Sequence, residues 1–129
     1  MKLLASPGFV RLLRLLFWAA LLFAVTMALL PHPPDFGTNG MGDKFNHMLA
    51  FAVISALGAV SFPQANIWRM AERLSFLGAL IEVVQALPQL GRDCDIRDWV
   101  ADTLAIVATM ALMQLIRPRL DADQGGERP

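Results

Sequence analysis

Four runs of apolar residues, separated by short polar links, set the plan of this chain. The first, Phe9–Leu30, is 22 residues long and carries Arg11 and Arg14 near its start. At about 1.5 Å per helical residue it is long enough for a hydrocarbon core of roughly 30 Å. The second begins at Asp43 or Phe45 and ends at Phe62, the third runs from Ala71 to Leu87, and the fourth from Arg97 to Ile116. Pro31, Pro63, Pro88 and Pro118 each follow one of these runs. Helices are expected to stop there, because proline has no N–H and pushes the residue before it out of the α region. The links 31–46 and 63–73 hold loop-forming residues, and the polar, glycine-containing tail is expected to be disordered. The pattern predicts an all-α membrane protein, a four-helix transmembrane bundle over residues 1–117, followed by a disordered polar tail at 118–129. Ala52, Ser55, Ala56 and Ala59 give the second run small residues that let a neighbouring helix approach closely.

Composition supports the same class. A chain of 129 residues is one domain at most, and 56% hydrophobic with 17% charged residues is too apolar for an ordinary small soluble domain. The basic start resembles a secretory signal, but an apolar stretch this long without a small-residue cleavage motif is expected to remain as an anchor. Zero net formal charge and no basic stripe argue against a nucleic-acid partner. The single cysteine, Cys94, cannot form an intrachain disulfide, and no Cys/His spacing suits a metal. No metal and no cofactor are therefore expected, and no nucleophile or phosphate-loop motif names a reaction.

Lys and Arg divide unevenly between the links. Lys2, Arg11, Arg14, Arg69, Arg73, Arg117, Arg119 and Arg128 fall on one side, and Lys44, Arg92 and Arg97 on the other. The positive-inside rule then puts both termini in the cytoplasm of a multi-pass inner-membrane protein. The links at 31–46 and Gly91–Arg97 face outward.

This orientation gathers the ionisable residues at one level. Asp43, Lys44 and His47 open the second run, Glu82 and Gln85 lie near the end of the third, and Asp98 and Asp102 open the fourth. Arg92 sits on the glycine turn between the last two. Spacings of three or four residues put each set on one helix face. Charges in hydrocarbon cost roughly 2.5–3.5 kcal/mol each on insertion scales, so they are expected to turn inward on one another. Gly78, one turn before Glu82, leaves room for a neighbouring helix or a ligand. Glu82 or His47 can serve as a general base and Arg92 can hold phosphate through its forked guanidinium. Structural readings stand beside these: Glu82 as glue between helices, His47 as a packed interfacial side chain, and Asp98 as a favourable charge at a helix start. Trp68 and Trp99 suit interfacial anchoring.

These residues also form a recognisable pattern. D-K-x-x-H is Asp43, Lys44 and His47; E-x-x-Q is Glu82 and Gln85; then follow Gly91-Arg92 and a D-x-x-x-N pattern filled by Asp98 and Asp102. Over residues 9–117 the chain resembles the VanZ-like family of bacterial membrane proteins. It departs where the family has asparagine, at Asp102, and in lacking the glycine that commonly follows within Thr103–Ile106. The resemblance implies a four-span cell-envelope protein of a family some of whose members are linked to glycopeptide (teicoplanin) susceptibility, and it implies no settled reaction. The expected function is an outward-facing polar pocket that binds or handles an envelope lipid or lipid-linked headgroup, with membrane lipids and lipid-linked envelope precursors as partners. The alternatives are an intramembrane hydrolase or transferase acting on a phosphate-bearing lipid, and a non-catalytic scaffold subunit. Ligand-binding candidates are Asp43, Lys44, His47, Glu82, Gln85, Arg92, Asp98 and Asp102, with Glu82 and His47 the catalytic candidates. Oligomeric state is left open.

Overall fold

A computed structural model describes residues 6–32, 34, 42–92 and 94–125; the side chains of Asp43 and of residues 118–125 lie outside it. The described residues form four α-helices and no strand: α1 (Pro7–Leu29), α2 (Asp43–Ser61), α3 (Ile67–Gln85) and α4 (Ile96–Gly125). A single 3-10 turn, Pro88–Leu90, precedes α4. Three stretches are long and apolar enough to cross a membrane: Pro7–Leu29, Lys44–Ser61 and Ile96–Arg117. The third helix differs, because Arg69, Glu72, Arg73 and Glu82 fall within its 19 residues.

The ends of the helices follow local chemistry. Ser6 caps α1, its Oγ accepting from the Phe9 N–H at 3.2 Å, and Pro7 occupies the first turn, where a missing N–H costs nothing. Asn66 caps α3, its Oδ1 accepting from the N–H groups of Trp68 and Arg69. That cap starts α3 at Ile67, four residues before the start expected from hydropathy. The buried positions explain why the extra turn forms. Ile67, Ala71, Leu74, Gly78, Ile81 and Gln85 recur at spacings of four and three, a single inward stripe. Arg69, Glu72 and Arg73 lie on the exposed side.

At the other end of the chain, α4 continues through Pro118 to Gly125, where a stop at Pro118 and a disordered tail were expected. Proline removes one i to i−4 hydrogen bond and strains the turn before it, a cost the α4 backbone bears in place of ending.

Helices adjacent in sequence run antiparallel, which leaves α2 and α4 parallel to each other. The longest seams run between α4 and α2 and between α4 and α3, and α1 leans chiefly on α2. Phe51, Ile54, Leu74, Ile81, Ile106 and Met110 fill the centre. Outside, Leu15, Leu22, Phe76, Val83, Leu104 and Leu115 are each more than 60% exposed. Such a continuous apolar exterior is unfavourable in water and ordinary in hydrocarbon.

The start of α1, the end of α2 and Arg117 of α4 meet at one end of the bundle. Helix α2 has an unusual need there. The carbonyl of Ala59 should accept from residue 63, but residue 63 is proline. Arg117 supplies the donor instead, its Nη2 lying 2.6 Å from the Ala59 oxygen. Arg14 donates from Nε to the Ser61 oxygen at 3.2 Å, with its guanidinium 5.3 Å from the centre of the Phe62 ring. Two cations from α1 and α4 thus cap the negative end of α2.

Candidate functional site

The opposite end of the bundle carries most of the polar residues singled out above. It is assembled from the start of α2, the end of α3, the hairpin and the start of α4. Gly91 makes the hairpin possible: its φ of +56° lies in the left-handed region, which glycine enters without steric cost. The chain then turns into α4 through Asp95, whose Oδ1 accepts from the Arg97 N–H at 2.9 Å and whose carbonyl accepts from the Asp98 N–H.

Glu82 organises this turn. It is 6% exposed, and its Oε2 accepts from the Asp95 N–H at 3.2 Å. The exposed Cys94 lies close enough to Glu82 to interact with it. The Cys94 thiol is raised above its ordinary value, first by desolvation, then by this interaction, then by the charges of Glu82, Asp95 and Asp98. A thiol held neutral is a poor nucleophile at neutral pH.

An ion pair and a longer His–Asp contact join α2 to α4. Lys44 Nζ lies 3.3 Å from Asp98 Oδ1, in an outer, partly exposed pair. His47 Nδ1 lies 4.0 Å from Asp102 Oδ2, in an inner pair. That distance is too long for a hydrogen bond. Because His47 follows Lys44 by three residues and Asp102 follows Asp98 by four, the inner pair sits about one helical turn below the outer one. Asp102 is 2% exposed, and its Oδ1 has no hydrogen-bond partner. The charges of Glu82, Asp98 and Lys44 all act on it. Below the pairs, the α3–α4 seam is tied by Ser75 and Thr103, whose hydroxyls are 2.8 Å apart, and by Trp99, whose Nε1 donates to the Ser75 carbonyl at 2.9 Å.

The structure therefore brings Lys44, His47, Glu82, Asp98 and Asp102 together. Gln85 and Arg92 share this end of the bundle, with their described bonds going to α1. Gln85 Nε2 donates to the Ala28 oxygen at 2.7 Å, and Arg92 Nη1 to the Leu30 oxygen at 3.3 Å. Both carbonyls are left over at the end of α1, so these donors cap it. The Asp43 side chain lies outside the described residues. Gly78 does not open a ligand space: a side chain there would meet the rings of Phe51 and Trp99 at 3.5 Å. Trp99 is accordingly part of the α3–α4 contact, and Trp68, at 47% exposure, keeps the surface position expected of an anchor. Sequence reasoning missed Asp95 as the residue that caps α4, although an Asp just before a helix is a usable signal. It also saw no partner for Cys94.

Among the described residues, no group of His, Cys, Asp and Glu has the geometry of a metal centre. Chemically, the arrangement can hold a cation against Asp102 and sets a buried carboxylate beside His47. No family model, curated protein or solved structure matches the chain.

Proposed function

We propose that this chain is a multi-pass protein of the bacterial cytoplasmic membrane, VanZ-like in type, whose polar cluster binds the headgroup of an envelope lipid or lipid-linked precursor at the outer face. In this reading α3 is a fourth span. Its charged first turn lies among cytoplasmic headgroups, its Glu82 end is sheltered by its neighbours, and both termini are cytoplasmic. The observation that carries the proposal is Asp102, a carboxylate on a membrane-length helix, 2% exposed, with one oxygen unpartnered. Buried charges in spanning helices are costly and belong to functional sites by default. A purely structural carboxylate would have both oxygens satisfied.

The test is native mass spectrometry of the purified protein beside Glu82→Gln and Asp102→Asn. The wild type is expected to retain a specific lipid that Asp102→Asn loses. Equal retention, or none, in all three proteins overturns the proposal and favours a scaffold role for the cluster.

A second reading has one observation in its favour, the His47–Asp102 pair. The carboxylate stands 4.0 Å from one ring nitrogen of His47, and closing to hydrogen-bond distance would make it the arrangement of an oriented general base, which suits an intramembrane hydrolase or transferase acting on a phosphate-bearing lipid. It predicts turnover that His47→Gln abolishes while lipid retention survives.

A further inference from the structure

The polar cluster is unbalanced in a way that specifies its ligand. Three carboxylates, Glu82 at the end of α3 and Asp98 and Asp102 at the start of α4, act on one another, faced from α2 by Lys44 and His47. Lys44 is already engaged with Asp98 at 3.3 Å. The missing element is a donor for Asp102 Oδ1, which is buried and bonded to nothing. A positive charge alone does not meet that need; a lone pair in an apolar surrounding calls for an N–H or O–H aimed at it.

The Lys44–Asp98 pair about one turn above Asp102 is weak. The Lys44 side chain is 46% exposed and the Asp98 side chain 24%. Exposed pairs of this kind contribute about 0–1 kcal/mol, so separating them costs little. Once they separate, Asp98 and Asp102 offer two anionic acceptors one turn apart on the same face of α4, and Lys44 offers a cation on the facing helix.

We propose that this seam recognises a primary ammonium group carried on a phosphodiester, the headgroup chemistry of an aminophospholipid. The ammonium takes Lys44's place on Asp98 and donates to Asp102 Oδ1, while Lys44 turns to the phosphate. One exposed ion pair is thereby exchanged for two, and the orphaned oxygen gains its donor. The inference rests on the headgroup-binding reading above and adds the class of headgroup. It excludes two alternatives on physical grounds. A quaternary ammonium has the charge but no N–H. An anionic headgroup without an amine adds negative charge to three carboxylates.

The experiment offers the purified protein equal amounts of chain-matched phosphatidylethanolamine, its N-methyl and N,N-dimethyl derivatives, phosphatidylcholine and phosphatidylglycerol, and reads retention by native mass spectrometry. Retention by the wild type is expected to fall with each methyl added. Phosphatidylethanolamine should be preferred over phosphatidylcholine by about tenfold, the low end for a hydrogen bond to a charged group. In Asp102→Asn, with helix content checked by circular dichroism, the preference should disappear. Equal retention of phosphatidylcholine, or preference for phosphatidylglycerol, overturns the ammonium assignment and leaves headgroup binding standing. Retention of no lipid at all overturns headgroup binding itself. Competition by soluble glycerophosphoethanolamine at the same concentration as the lipid overturns the lipid as the source of the amine. The methylation series needs no variant, so a misfolded Asp102→Asn protein leaves the test intact.

Discussion

Arg117 and Pro63 are 54 positions apart in the sequence and solve one problem together, which makes their coupling measurable. Pro63 denies the Ala59 carbonyl its helical donor, and Arg117 replaces that donor at 2.6 Å. Ala59 is 1% exposed, so removing the guanidinium strands its oxygen away from water. A hydrogen bond from a charged donor contributes about 1.5–3 kcal/mol. Side-chain bonds between membrane helices average a lower value, about 0.6 kcal/mol, because separated helices find other partners. The larger figure should hold here, since no other side chain donates to that oxygen among the described residues. Arg117→Met is therefore expected to destabilise the bundle by about 1.5–3 kcal/mol, followed by denaturant titration in micelles with circular dichroism. Pro63→Ala restores a backbone N–H and frees Phe62 to become helical, so in that background the Arg117→Met penalty should fall by at least about half. A loss below about 0.5 kcal/mol, or a penalty that is the same with and without Pro63, would refute the capping argument.

Two further outcomes can be checked with simple variants. An alanine methyl at Gly58 would lie 2.6 Å from the Met70 sulfur and 3.1 Å from the Phe17 ring, whereas one at Gly78 meets Phe51 and Trp99 at an ordinary 3.5 Å. Overpacking costs about 1–3 kcal/mol against about 1 kcal/mol of helix propensity gained. Gly58→Ala should therefore destabilise and Gly78→Ala should be neutral or stabilising in the same titration; a shared sign contradicts the packing described. For Cys94, the raised thiol means that the thiolate population, and with it alkylation by iodoacetamide, should climb at higher pH than for an ordinary cysteine. Glu82→Gln removes one charge that raises it and should move the profile to lower pH. An unshifted profile in that variant shows that Glu82 does not act on the thiol.

The helices themselves were largely legible in the chain, because long apolar runs punctuated by prolines leave few alternatives. The start of α3 was not, since Arg69, Glu72 and Arg73 break the apolar run as counted by hydropathy; the inward stripe beginning at Ile67 is visible only by spacing. The structure brings Lys44, His47, Glu82, Asp98 and Asp102 together at one end, and adds the individual bonds that the sequence does not show. Composition marks Glu82, Gln85 and Arg92 as notable without saying what they bond. In the structure Glu82 holds the hairpin and Gln85 and Arg92 cap α1, while the unsatisfied group is Asp102. Pro63 announces in sequence that Ala59 needs a donor. That the donor arrives from Arg117 follows from the packing of α4 against α2, which no local pattern encodes.

The order of the helices along the chain bears on how the protein is made. During synthesis α1, α2 and α3 leave the ribosome first, and at that stage the Ala59 carbonyl lacks Arg117, Lys44 lacks Asp98, and Ser75 lacks both Thr103 and Trp99. Each of these partners is delivered by α4. A nascent chain halted before Ile96 thus leaves these polar groups without their native partners. The first three helices therefore depend on α4 to complete their polar network.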